Sequence, residues 1–214
     1  MNEITLKGML PRVFVSESIP FSEVWNADLT FRRGCRYLVE AASGAGKSSM
    51  CSFIYGARKD YEGTLCFDGK NVADFSIDKW QHLRRESLAY LPQELSLFPE
   101  LTAMQNIELK NSLTGCVSKE EIEEWLHELG IDSRRDYPVG KMSVGQQQRV
   151  GLIRAICQPF DFILLDEPVS HLDEENNRKA AAMIEGVAAR QGAGIISTSV
   201  GNPLLLDNAL KLRL

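Results

Sequence analysis

The residues of this chain best suited to chemistry are Lys47, Ser48, Asp166 and Glu167. Lys47 and Ser48 lie near the end of Glu40-Ala41-Ala42-Ser43-Gly44-Ala45-Gly46-Lys47-Ser48-Ser49. That run follows an apolar stretch, Tyr37-Leu38-Val39, and precedes Met50-Cys51-Ser52-Phe53-Ile54-Tyr55, which reads as helix. A strand, a loop of small residues and Gly-Lys-Ser opening a helix form the setting of a phosphate-binding loop. Small residues let backbone N–H groups close around phosphate oxygens, and the helix N-terminus adds the positive end of its dipole. In this reading Lys47 reaches the β- and γ-phosphates and the Ser48 hydroxyl ligates Mg²⁺. The pattern G-x-x-x-x-G-K-[ST] asks for glycine where this chain has Ala41. Alanine serves there only if the backbone keeps a negative φ. The plainer alternative is a glycine-rich turn with an incidental lysine.

The second cluster is Asp166-Glu167, at the end of the apolar run Phe160-Asp161-Phe162-Ile163-Leu164-Leu165. A carboxylate at a strand tip can hold Mg²⁺ through water. The next residue, Glu167, can polarise a water for attack on a γ-phosphate, a reaction that needs little beyond positioning and electrostatics. An acidic pair at a strand end can also be a solvated turn, here followed by Pro168.

These residues need elements to position them. Ile4–Leu6, Leu29–Phe31 and Arg36–Val39 read as short strands, and Asp68-Gly69 between apolar flanks marks a hairpin. Trp80–Arg85 reads as helix and Ser87–Leu91 as a strand stopped by Pro92. From Glu94 to about Met142 the character changes to helices and polar loops. Thr102 with Gln105, and Ser118 with Glu121, fit capping boxes, and Gly130 ends the second helix. Ile122, Trp125, Leu126 and Leu129 form that helix's apolar stripe. Gln146–Cys157 and Glu174–Arg190 read as helices, Gly194–Thr198 as a buried strand and Leu210–Leu214 as an edge strand. Strands alternating with helices imply a mostly parallel sheet with ligands at the strands' carboxyl ends.

The bounds agree with one α/β domain. The chain has 214 residues, 44% hydrophobic and 25% charged. No stretch approaches the roughly 18–20 apolar residues that span a bilayer, and Met1–Leu6 has no signal-peptide character. A net charge of −5 argues against a broad nucleic-acid-binding face. The five cysteines lack CxxC spacing and read as buried, reduced thiols of a cytosolic protein. Three scattered histidines offer no metal site.

Further motifs carry a family resemblance. Lys141-Met142-Ser143-Val144-Gly145-Gln146-Gln147-Gln148-Arg149-Val150 resembles the signature motif of ABC-type ATPases, usually written LSGGQQQRV. Phe162–Pro168 resembles that family's Walker B motif, and Ser170-His171-Leu172-Asp173 its D-loop. Tyr90-Leu91-Pro92-Gln93, with Leu97–Thr102 and Gln105-Asn106-Ile107, is similar to its Q-loop region. Five motifs in order cover essentially the whole chain. The resemblance implies a P-loop NTPase of ABC type: an α/β fold with a mostly parallel core sheet, an N-terminal antiparallel β subdomain and a helical insertion. Residues 1–214 would form one ATPase domain, with 1–93 and 143–214 as core and β subdomain and about 94–142 as helical subdomain.

The resemblance also implies a mechanism. Two cassettes, a homodimer or a pair of different chains, meet head to tail, and ATP at one protomer's Walker motifs is capped by the other's signature helix. The implied nucleotide contacts are Ala41, Ala42, Ser43, Gly44, Ala45, Gly46, Lys47, Ser48 and Ser49 of the loop. To these it adds Gln93, the signature residues Ser143, Val144, Gly145 and Gln146, and Asp173 across the dimer. Mg²⁺ would fall to Ser48, Gln93 and Asp166, and catalysis to Glu167, Lys47, Gln93 and the residue at the switch-histidine position. An aromatic near the N-terminus would stack on adenine, Phe14 or alternatively Phe21.

Three positions depart from the family pattern: Ala41, Val144 in place of the first signature glycine, and Ser199 where a switch histidine is expected. Serine donates one hydrogen bond and carries no charge, so hydrolysis should be about 10- to 1,000-fold slower if that histidine acts as other oxyanion donors do. The reading is an ATP-binding subunit at the cytoplasmic face of the cell membrane, energising separate transmembrane permease subunits. Phe98, Pro99 and Leu101 would help form the groove that receives the permease. The alternatives are an ATP-dependent dimerising module with little hydrolysis, and a soluble ABC ATPase acting on DNA or ribosomes.

Overall fold

The computed structural model describes residues 1–16 and 21–214. Its strands are β1 (Glu3–Pro11), β2 (Asp28–Arg32), β3 (Arg36–Glu40), β4 (Tyr61–Phe67), β5 (Lys70–Asn71), β6 (Leu88–Leu91), β7 (Phe162–Asp166), β8 (Gly194–Ser199) and β9 (Leu210–Arg213). Its helices are α1 (Lys47–Ile54), α2 (Ile77–Glu86), α3 (Ala103–Asn111), α4 (Lys119–Glu128), α5 (Val144–Ile156) and α6 (Glu174–Gln191). One sheet is antiparallel, in the order β2-β1-β4-β5, and the other parallel, in the order β6-β7-β8-β3-β9.

The parallel sheet is buried on both faces, which is why β7 reads as a continuous apolar run. Phe162 and Leu164 face a core shared with α1, α2 and the antiparallel sheet. Ile163 and Leu165 face a second core shared with α5, α6 and the helices between β6 and α5. Register aligns the strand ends: Asp166 of β7 pairs with Thr198 of β8, which pairs with Val39 of β3. The phosphate-loop start and the acidic pair therefore emerge at one edge of the sheet.

The β4–β5 hairpin turns on Asp68 and Gly69, both at positive φ, as Asp-Gly between apolar flanks predicts. Between β6 and α5, Thr102 and Gln105 form a complete capping box. Buried Asn106 holds the Phe98–Thr102 segment, its amide donating to the carbonyls of Phe98 and Thr102 and its oxygen accepting from the Phe98 N–H. Ser118 caps α4 by accepting from the Glu121 N–H, but the reciprocal bond expected from Glu121 is absent. Its carboxylate pairs instead with Arg190 of α6, 2.6 Å away. Cys51, Cys66 and Cys157 are buried as expected, whereas Cys116, just after the Gly115 turn, is exposed.

Candidate functional site

The loop from Ala41 to Gly46 links β3 to α1. Ala41 does not take a positive φ, so the missing glycine costs no strain there. Gly46, the α1 N-cap, does need its glycine. It has φ +97°, and a Cβ there would lie 3.1 Å from the Phe14 ring and 3.2 Å from that of Trp25. Trp25 also donates its indole N–H to the Ala45 carbonyl at 3.0 Å. The far end of the loop is thus braced by two aromatic rings. Phe14 is half-buried against it, while Phe21 is 83% exposed.

Lys47 is only 4% exposed. Its ammonium donates to the carbonyls of Ala41 (3.1 Å) and Ala42 (2.9 Å) and lies 3.7 Å from the Glu167 carboxylate. Ala42, Ser43 and Gly44 are exposed. Ser48 donates to the Gln93 side-chain oxygen at 3.4 Å, which brings the first turn of α1 to the segment after β6. Ser49 instead accepts from the Arg58 guanidinium at 3.1 Å.

The acidic pair is set by β8. The Thr198 hydroxyl donates to one Asp166 oxygen at 2.7 Å and accepts from the Glu167 N–H at 3.1 Å. The other Asp166 oxygen is buried and has no partner. A buried carboxylate oxygen without a donor is costly unless something completes it. A Mg²⁺-bound water meets that need, and the hydroxyl and amide oxygens of Ser48 and Gln93 are hard donors of the type this ion takes. Burial raises the Cys51 thiol well above its ordinary value, and the Asp166 charge adds to the effect. Among the described residues no three His, Cys, Asp or Glu side chains cluster as a metal cage. Mg²⁺ characteristically binds through one or two carboxylates plus phosphates and needs no such cage.

Ser199 sits at the β8 terminus, 1% exposed. Its carbonyl accepts from the Ala41 N–H and its hydroxyl oxygen from the Gly201 N–H. It therefore abuts the phosphate loop through its backbone and extends no charge toward it. The signature residues lie at the start of α5, where Ser143 and Gln146 cap each other. The Ser143 hydroxyl accepts from the Gln146 N–H, leaving its own hydrogen to donate. Val144 is 51% exposed. No hydrogen bond joins these residues to the loop at 41–49 of the same chain, among the described residues. Asp173 caps α6 by accepting from the Asn176 backbone and side-chain amides, and these bonds hold its carboxyl below the usual range.

Sequence reasoning missed Trp25, Thr198 and Asn202 as site-building residues. Asn202 donates to the Val169 carbonyl at 2.8 Å, holding the segment after Glu167. Only the Ser-Thr pair at the end of a buried strand, Ser197-Thr198, offered a local signal.

A small-residue loop opening a helix, facing a buried aspartate and a glutamate on a parallel sheet, defines a P-loop nucleotide-binding domain. A family model described as ABC transporter matches residues 24–170, and the chain belongs to that family. It is 31% identical over 215 residues to the macrolide export ATP-binding/permease protein MacB of Salmonella choleraesuis, covering 97% of this chain and 33% of that protein. The chain thus spans about a third of that relative's length. It is 28% identical to the uncharacterized ABC transporter ATP-binding protein YclH of Bacillus subtilis, covering 87% of this chain and 83% of that one. The dimeric structure of MJ0796, a bacterial ABC transporter cassette, superposes with a TM-score of 0.80 at 25% identity, over 98% of this chain and 94% of that one. A post-hydrolysis state of the same cassette, bound to ADP and Pi, gives 0.76 at 26% identity, over 93% and 88%.

Proposed function

We propose that this chain binds and hydrolyses MgATP and thereby energises transport through a separate transmembrane permease. The observation that carries this reading is the meeting of Lys47, Glu167 and a buried, half-partnered Asp166 at the open end of the phosphate loop. Lys47 would exchange the carbonyls of Ala41 and Ala42 for β- and γ-phosphate oxygens. The loop's N–H groups and the α1 N-terminus would hold the rest of the phosphate chain. Glu167 would orient a water and take its proton as the new P–O bond forms and the bond to the β–γ bridging oxygen breaks, releasing ADP and phosphate. Mg²⁺, held by Ser48, Gln93 and, through water, Asp166, would neutralise charge on the phosphates.

Phe14, already against Gly46, is our choice for the adenine contact. Among the described residues Ser143, Val144, Gly145, Gln146 and Asp173 make no hydrogen bond to their own chain's phosphate loop, which supports a second cassette across the α5 N-terminus. Exposed Val144 makes that contact more apolar than a glycine would.

The residues from about 94 to 142 would serve as a helical subdomain that receives the permease, placing the chain at the inner face of the membrane. A cleft of about 360 Å³ runs beside it, lined by Tyr55, Tyr90, Leu91, Leu95, Lys110 and Arg154. Phe98 is exposed, with the guanidinium of the lining residue Arg154 5.6 Å from its ring centre. No helix of the described residues is long and apolar enough to cross a membrane.

The test is MgATP turnover by the purified chain at several protein concentrations, with Glu167→Gln beside it. Turnover that rises per molecule with concentration and drops at least about 100-fold in Glu167→Gln, with ATP binding retained, is the expected result. Equal turnover in both proteins would remove Glu167 from the mechanism.

A further inference from the structure

Glu167 has φ +51°, a left-handed backbone that a residue with a β-carbon adopts only when its surroundings impose it. Two side chains hold its backbone N–H and carbonyl. On the N–H side stands Thr198, already described. On the carbonyl side stands Gln148 of α5, whose amide nitrogen donates to the Glu167 carbonyl at 3.1 Å.

Gln148 is 2% exposed. Its second amide hydrogen goes to the Ser170 hydroxyl at 3.2 Å, and its oxygen accepts from the His171 N–H at 3.0 Å. Because His171 must donate, the amide can sit in one orientation only, with its nitrogen toward Glu167. One side chain therefore joins three things: the Glu167 peptide, the Ser170-His171 segment and the helix whose N-terminus carries Ser143. Gly145 tightens the same seam. A Cβ there would lie 3.0 Å from the His171 carbonyl oxygen, so α5 approaches the segment as closely as a glycine allows.

We propose that Gln148 is a positioning residue that acts through Glu167. It fixes the backbone state that aims the Glu167 carboxylate, and it ties that state to the position of the signature helix. The inference rests on the proposed function, since it needs Glu167 to work on the attacking water. The plain alternative is a buried glutamine that only fills its hydrogen-bonding needs and stabilises the fold.

The experiment compares Gln148→Met, which keeps shape and loses the donors, with Gln148→Glu. The latter keeps the acceptor for His171, replaces the amide donors to Glu167 and Ser170 with a carboxyl oxygen and, when ionised, adds a buried charge beside the Glu167 carbonyl. Single-turnover phosphate release, ATP affinity and melting temperature are measured for each, alone and with Glu167→Gln. We expect release to slow about 10- to 100-fold, as a misplaced catalytic group does, with ATP affinity unchanged. In the Glu167→Gln background neither substitution should slow release further. Should Gln148→Met fail to fold, Gln148→Glu answers the same question. Unchanged release, or a loss that multiplies fully with that of Glu167→Gln, would overturn the role of Gln148 while leaving the ATPase reading intact. Wild-type release equal to that of Glu167→Gln would overturn both.

Discussion

Ser199 ends β8 beside the phosphate loop. It occupies the position where the family resemblance expects an imidazole, yet it is sealed: its hydroxyl accepts from Gly201 and its carbonyl from Ala41. A histidine added there meets closed space, and overpacking of this kind typically costs about 1–3 kcal/mol. Ser199→His should therefore lower the melting temperature and bring no rise in MgATP turnover, read by thermal unfolding and phosphate release. A rise in turnover at unchanged stability would show that the pocket does admit the ring. The placement of Lys47, Asp166 and Glu167 at neighbouring strand ends was legible in the sequence because each lies in a local motif. Thr198 and Gln148 were not, because their partners are set by the β7–β8 register and by α5 packing on the Glu167 segment, and neither is local in the chain. Ala41 could be judged only once its φ was known.

At the scale of elements, the strands and helices followed from pattern where one force dominated. β7 was readable because both its faces are buried, and α3 because its cap is complete. The start of α5 at Val144, two residues before Gln146, comes from Ser143 taking the cap. Glu121 escaped prediction because Arg190, distant in sequence, outcompeted the Ser118 N–H for its carboxylate. β8 shows how tightly the sheet is built. A Cβ on Gly194 would lie 2.7 Å from the Phe162 ring and 3.1 Å from the Arg32 carbonyl oxygen. Gly194→Ala should destabilise the protein by about 1–3 kcal/mol in chemical denaturation. Because β8 also carries Thr198, it should depress turnover as well. An unchanged midpoint would mean that Phe162 yields without cost.

For the whole molecule, the parallel sheet divides the apolar interior into two cores, and the thiols report on both. Cys51 lies in the core beneath the phosphate loop and Cys157 in the core beneath the helices, and burial pushes both thiols up. Under native conditions at pH 8, an aromatic disulfide reagent should modify Cys116 first and leave Cys51, Cys66 and Cys157 untouched until the chain unfolds. Early labelling of Cys157 would indicate that the helical side opens on its own.

At the proposed phosphate site Lys47 stands against the carboxylates of Asp166 and Glu167, while Arg58, bonded to Ser49, is paired with Asp60. The frame of the site is thus net negative before any ligand arrives, and a nucleoside triphosphate adds several more charges of that sign. The backbone dipoles of the loop offset only part of this. On the proposed MgATP reading, a cation that arrives with the ligand would offset the rest, and a chelator should weaken ATP binding, read as a rise in its Kd.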